Sequence, residues 1–201
     1  LAERGISANV MAAYYHDHVF VRDEQAEEAF KALMALSRSY AQTSPQNTQV
    51  ADNAYSMEIR VATTPEAAFR ALTRDAQQWW TRDCDPILQV GDVATFRFGP
   101  THWTLRANRL VPAESIELEC IDAHHEHPGL SAEIRSEWLG SIIRYTLHGY
   151  AENTRIVLVH EGLQPALQCY EVCEQGWNHF FGDSLRRYLD TGTGAPDESS
   201  T

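Results

Sequence analysis

The chain has 201 residues, 43% hydrophobic and 22% charged, which allows one sizeable globular domain and a small extra module. Its 16 Lys and Arg against 28 Asp and Glu leave a formal net charge of −12, which argues against nucleic-acid phosphates or anionic membranes as partners. No apolar run approaches a membrane span or a signal peptide. The four cysteines (Cys84, Cys120, Cys169, Cys173) form neither a secreted framework nor a Cys-x-x-Cys pair, so a reducing cytoplasm is the expected compartment.

From the N-terminus, "LAERGISANV" reads as the tail of a helix followed by a strand, and with no initiator Met the chain is expected to be a fragment cut inside an element. "SANVMAAY" and "HVFVR" are β-rich, and "DEQAEEAFKALMALSR" is a helix with Asp23 as its expected N-cap. Ala26, Phe30, Leu33, Met34 and Ser37 follow helical spacing and predict its apolar face. His16 and His18 flank Asp17 on a strand and share one face, but two histidines without further ligands read as a polar hairpin edge. One hairpin and one helix hold too little core to stand alone. The arrangement "GI-x-x-NV…HDH-x-FV" resembles the second half of a bacterial ACT-type domain, a family whose members often bind amino acids or other small effectors. Residues 1–38 are therefore expected to be a partial ACT-like ββα module, serving as an effector-binding or homodimerising appendage.

Residues 39–54 are polar, aperiodic and carry Pro45, the composition of a linker. "YSMEIRVAT" then alternates as a strand. "TTPEAAFRALT" is a capped helix with Thr63 or Thr64 before Pro65, and "DAQQWW" is a short helix or turn. "DVATFRFG", "HWTLRANRLV", "SIELECID", "SIIRYTLHGY" and "TRIVLVHEG" are successive short strands separated by turn residues. Alternation assigns Ile116, Leu118, Cys120, Ile143, Tyr145, Leu147, Ile156, Leu158 and His160 to the inward face. A long helix from Pro165 to Tyr188 closes the domain, and residues 193–201 read as a disordered tail.

This order describes an α+β helix-grip fold over residues 55–192, a curved antiparallel sheet wrapped around the C-terminal helix. "TTPEAAFRALT…QWW", "GDVATFRFG", "TRIVLVHEGL" and "GW-x-x-x-x-x-x-SL-x-x-YLDTG" resemble the SRPBCC (START-like) superfamily, in the branch similar to activators of a heat-shock-protein ATPase. That superfamily includes lipid and hormone carriers, polyketide cyclases and co-chaperone modules. The resemblance thus implies a cavity between sheet and helix without naming an activity.

Cys169, Cys173, Trp177, Phe180 and Ser184 recur at helical spacing and read as a packing stripe. A zinc site would need two more ligands, with His160 the only obvious neighbour, so no metal is expected; nor is a cofactor. "DAHHEHPG" holds His124, His125 and His127 in a loop with no zinc or catalytic spacing. The residues expected to line a cavity for a small hydrophobic molecule are Trp80, Trp103, Leu118, Trp138, Tyr145, Leu158, His160, Tyr170, Cys173, Trp177 and Phe180. Non-enzymatic binding is the favoured reading. The alternatives are a cyclase- or hydrolase-like enzyme, with His160 and Tyr145 or Tyr170 as acid and base, and a co-chaperone-like interaction domain.

Overall fold

A computed structural model of the chain describes residues 8–11, 18–32, 54–150 and 153–199. The chain divides into two compact units, Leu1–Gln49 and Val50–Thr201. Most of the expected linker, together with His16 and Asp17, lies outside the described residues.

In the first unit β1 (Ala8–Met11) pairs antiparallel with β2 (His18–Val21). A 3₁₀ turn over Asp23–Gln25 leads into helix α1, residues 26–32. Asp23 falls inside the first turn rather than capping it, because Arg22 occupies the cap position. Among the described residues of α1, Ala29 and Ala32 are buried, whereas Phe30, expected on its apolar face, is exposed; Leu33, Met34 and Ser37 lie outside the described residues.

The second unit is built on a seven-stranded, wholly antiparallel sheet. Its strands are β3 (Ala54–Val61), β4 (Asp83–Cys84), β5 (Val93–Phe98), β6 (Thr101–Val111), β7 (Ser115–His124), β8 (Ile142–Tyr150) and β9 (Asn153–Glu161). They lie in the order β3-β9-β8-β7-β6-β5-β4, so the first strand pairs with the last and the rest form a meander. Between β3 and β4, helix α2 (Pro65–Thr73) starts with Pro65 at its first position, and Thr64 Oγ1 accepts from the Ala67 amide at 3.3 Å. All nine positions assigned to the inward face of β7, β8 and β9 are buried.

The sheet curves, and two register shifts between β6 and β7 bend it locally. One of them has a consequence for the site. Leu105 pairs with Cys120 but Thr104 pairs with Asp122, so Ile121 is an extra residue and the inward parity flips beyond it. His125 is thereby turned inward and buried, while His124 faces solvent.

The closing helix runs in three stretches: α3 (Tyr170–Trp177), a π-helical segment (Asn178–Leu185) and α4 (Arg186–Thr191). It begins five residues later than expected from Pro165, because 164–170 form successive turns. A carboxylate from elsewhere then caps the helix: Glu137 Oε1 accepts from the Gln168 amide (3.0 Å) and Oε2 from the Cys169 amide (2.8 Å). Cys169, Cys173, Trp177, Phe181 and Leu185 face the sheet.

The segment after Gly192 differs from its expected disorder. Ser184 Oγ donates to the Trp79 carbonyl (2.6 Å) and accepts from the Ala195 amide (2.7 Å), while the Asp197 amide donates to the Trp80 carbonyl (2.9 Å). A Cβ on Gly194 would collide with the Gln78 carbonyl oxygen and the Trp79 Cα, so only glycine lets the backbone lie this close. Polar composition signals disorder only when the backbone has no partner, and here the partners are Ser184 on the closing helix and, more than a hundred residues upstream, Trp80 and Arg82.

Candidate functional site

All five tryptophans of the chain stand in one continuous stack. Trp79 and Trp80 follow α2 with ring centroids 5.7 Å apart, and Trp80 meets Trp177 at 5.3 Å. Trp177 lies 5.9 Å from Trp138, which stacks on Trp103 of β6 at 4.4 Å. Phe98 at the end of β5 packs edge-on to Trp103, with Phe180 on its other side.

All of these rings except Trp79 wall a cavity of about 220 Å³ between the helix and the β5–β6 end of the sheet. Its lining joins Trp80, Phe98, Thr101, Trp103 and Trp138 to Val172, Cys173, Gly176, Trp177 and Phe180 of the helix, with His125 and Glu126 at one end. A Cβ on Gly176 would meet nothing within 4 Å. That glycine opens onto empty space, whereas close approach to the sheet falls to Gly182, whose Cβ would press on the Met57 side chain. Two buried polar atoms on lining residues have no hydrogen-bond partner: Trp103 Nε1 and His125 Nδ1.

Of the eleven positions expected to line a cavity, Trp80, Trp103, Trp138, Cys173, Trp177 and Phe180 do so. Leu118, Tyr145 and Leu158 lie instead in the core under the middle of the helix, where Tyr145 packs on Phe181. Burial pushes the Tyr145 hydroxyl far above the ordinary phenol range. Tyr170 sits half-buried outside the cavity with its hydroxyl donating to Glu174. His160 is a fully buried structural node. Trp177 Nε1 donates to its Nδ1 at 3.2 Å, which places the ring proton on Nε2, and Nε2 donates to Ser141 Oγ at 2.9 Å. Burial lowers its pKa to about 3, so it stays neutral, and neither nitrogen is free to move a proton at the cavity.

Sequence reasoning missed Phe98, Thr101, His125, Glu126, Val172 and Gly176 as lining residues. Only Gly176 carried a signal, a glycine inside a helix, which demands an explanation because it costs about 1 kcal/mol relative to Ala.

At the His125 end, Cys169 and Cys173 lie one turn apart, and ligand atoms of all three residues fall within 4.8 Å of one another. All three are buried. Cys173 Sγ accepts from Trp138 Nε1 at 3.2 Å. The Cys173 pKa falls because Cys169 donates a hydrogen bond to it, with burial opposing and His125 and Trp138 assisting. Cys169 rises correspondingly: its proton is held by Cys173, burial disfavours its thiolate, and Glu137 is close by. Burial would raise the Glu137 carboxyl, but hydrogen bonds from Cys169 and the Gln168 amide outweigh it and hold the pKa below the usual range.

Residues 62–190 match the family described as activator of Hsp90 ATPase homolog 1-like protein. The chain belongs to that family. Residues 1–35 match the ACT domain, so an ACT-like module precedes the Hsp90-activator-like domain. No curated protein matches the chain. Among solved structures, the Aha1 dimer from Colwellia psychrerythraea is similar over 70% of this chain and 98% of its own, at 23% identity and a TM-score of 0.57. DynU16, a putative protein in the dynemicin biosynthetic locus, is similar over 71% of this chain and 49% of its own, at 19% identity and a TM-score of 0.56. PFC0360w, an Hsp90 activator from Plasmodium falciparum, is similar over 68% of this chain and 93% of its own, at 17% identity and a TM-score of 0.50. These likenesses establish the curved-sheet and C-terminal-helix fold of the family in this chain. Among the described residues, no helix is long and apolar enough to cross a membrane.

Proposed function

We propose that residues 55–192 bind one small, largely apolar, ring-bearing molecule in the tryptophan-walled cavity, as a carrier or sensory module rather than an enzyme. The observation that carries this reading is the empty volume of about 220 Å³ faced by Gly176, a position where a side chain would fit without collision. That size lies between the roughly 150 Å³ apolar cavity that holds a benzene and the 300 Å³ or so where drug-sized pockets begin. A one- or two-ring ligand suits it. The unpaired Trp103 Nε1–H favours a ligand with one acceptor atom, which would satisfy a donor otherwise buried at a cost of about 1–3 kcal/mol. Binding is preferred over catalysis at His160 because both its ring nitrogens are engaged away from the cavity.

The ACT-like module over residues 1–38 would serve as an effector-binding or dimerising appendage to this domain, and a homodimer is the assembly we favour. The free state of all four cysteines supports the cytoplasm as its compartment.

The test is a pair of substitutions at Gly176 read by native mass spectrometry. Gly176→Ala should raise stability by about 1 kcal/mol through helix propensity and leave bound mass in place. Gly176→Leu should fold and lose an adduct of roughly 100–250 daltons, the order of a one- or two-ring ligand. A Leu variant that still carries the adduct places the ligand elsewhere and ends this reading.

A further inference from the structure

The geometry points to a zinc centre formed by His125, Cys169 and Cys173 in the wall of the aromatic cavity. It is independent of what fills the cavity. Three buried ligand atoms already lie within 4.8 Å of one another. Zn–S bonds near 2.3 Å and Zn–N bonds near 2.0–2.1 Å set ligand atoms roughly 3.5–3.8 Å apart in a tetrahedral site, so closing by about 1 Å suffices. Cys169 and Cys173 are four residues apart at the start of the helix, which puts both sulfurs on one face. His125 comes from the opposite wall, delivered by the bulge at Ile121.

The second, independent observation is an orphan. His125 is 5% exposed and its Nδ1 has no hydrogen-bond partner among the described residues, although buried imidazole nitrogens are normally satisfied. Charge balance favours a divalent ion: two thiolates, one neutral imidazole and Zn²⁺ sum to zero, and a neutral cluster can sit in an apolar wall. Thiolates select zinc over Mg²⁺ or Ca²⁺, which require oxygen ligands. Outer partners are also in place. Trp138 Nε1 donates to Cys173 Sγ, and Glu137 accepts from the Cys169 amide and fixes its backbone. Since His125 and Cys173 line the cavity, the fourth coordination position faces it, open to water or to a donor atom of a bound molecule.

The experiment uses the full chain, reduced, stripped with chelator and titrated with Zn²⁺ against a chromophoric chelator and with Co²⁺ by absorption. One equivalent per chain, a tetrahedral Co²⁺ spectrum with thiolate charge transfer, and a Zn²⁺-dependent rise in melting temperature are expected. Trp138→Phe should weaken binding by about 10- to 100-fold, and Cys169→Ser, Cys173→Ser or His125→Gln by more. His102→Ala, on β6 beside His124 and outside the three-residue cluster, should change nothing. A variant that fails to fold leaves the stripped wild-type titration to decide. Substoichiometric binding, a spectrum without thiolate bands, or binding that survives loss of both cysteines would overturn the assignment. Gly176→Leu separates this centre from the cavity's ligand, since it should remove the ligand and spare the metal.

Discussion

At the residue scale, His160 shows how burial converts a titratable group into a structural one. Its folded pKa of about 3 lies below the value near 6.5 that the unfolded chain offers. As pH falls below about 6.5 the unfolded state takes up a proton while the folded state stays neutral until about 3. Stability held above the upper value is therefore lost going down through that window. Denaturant unfolding followed by circular dichroism between about pH 7 and pH 4 should show wild type losing stability faster than His160→Gln. The difference approaches about 1.4 kcal/mol per pH unit, the limit for one proton. Parallel slopes would mean that His160 is not the neutral node described above. The sequence placed His160 correctly on the inward face but could not show that Trp177 and Ser141 occupy both its nitrogens, since these partners lie 17 and 19 residues away.

At the element scale, the closing helix was legible in outline and not in pitch. Its buried residues Cys169, Cys173, Trp177, Phe181 and Leu185 recur every four positions, and in a regular α-helix each such step drifts about 40° around the axis. The π-helical segment, with its wider turn, takes up that drift over Asn178–Leu185. A strict spacing of four was thus a readable sign of π geometry. The strands were legible because alternation is local. The cavity end was not, because a single bulged residue, Ile121, decides whether His124 or His125 points inward, and nothing local in "CIDAHH" marks it. The segment after Gly192 depends on the same helix through Ser184. Ser184→Ala removes one bond to Trp79 and one from Ala195, so we expect a loss of about 1–3 kcal/mol and faster proteolysis within 193–199. Unchanged cleavage there would show that Gly194 and the Asp197 contacts hold the segment without Ser184.

At the scale of the whole molecule, the buried cluster of the second unit is made, among the described residues, of residues between Tyr55 and Leu185. A chain begun at Val50 should therefore unfold in one cooperative step, with a midpoint within about 2–4 °C of the full chain, the shift worth 1 kcal/mol at this size. Calorimetry of the two chains decides it, and a shortened chain with no transition would show that the ACT-like module is needed for folding. Family membership was visible in motifs spread along this unit, from "TTPEAAF" to "YLDTG", and the matched span of residues 62–190 covers them all but the last two residues of "YLDTG". The cavity's chemistry was less visible, because its walls come from five separate segments that only the curved sheet brings together.

The unbroken stack of indoles gives the protein an optical property of its own. Neighbouring rings 4.4 to 5.9 Å apart are close enough for their electronic transitions to couple, so the native state should carry an exciton couplet in its ultraviolet circular dichroism that unfolding abolishes. Four of the five indoles belong to residues that border the cavity. Any molecule entering there perturbs most of the chain's emission at once, and the protein reports its own occupancy without a label.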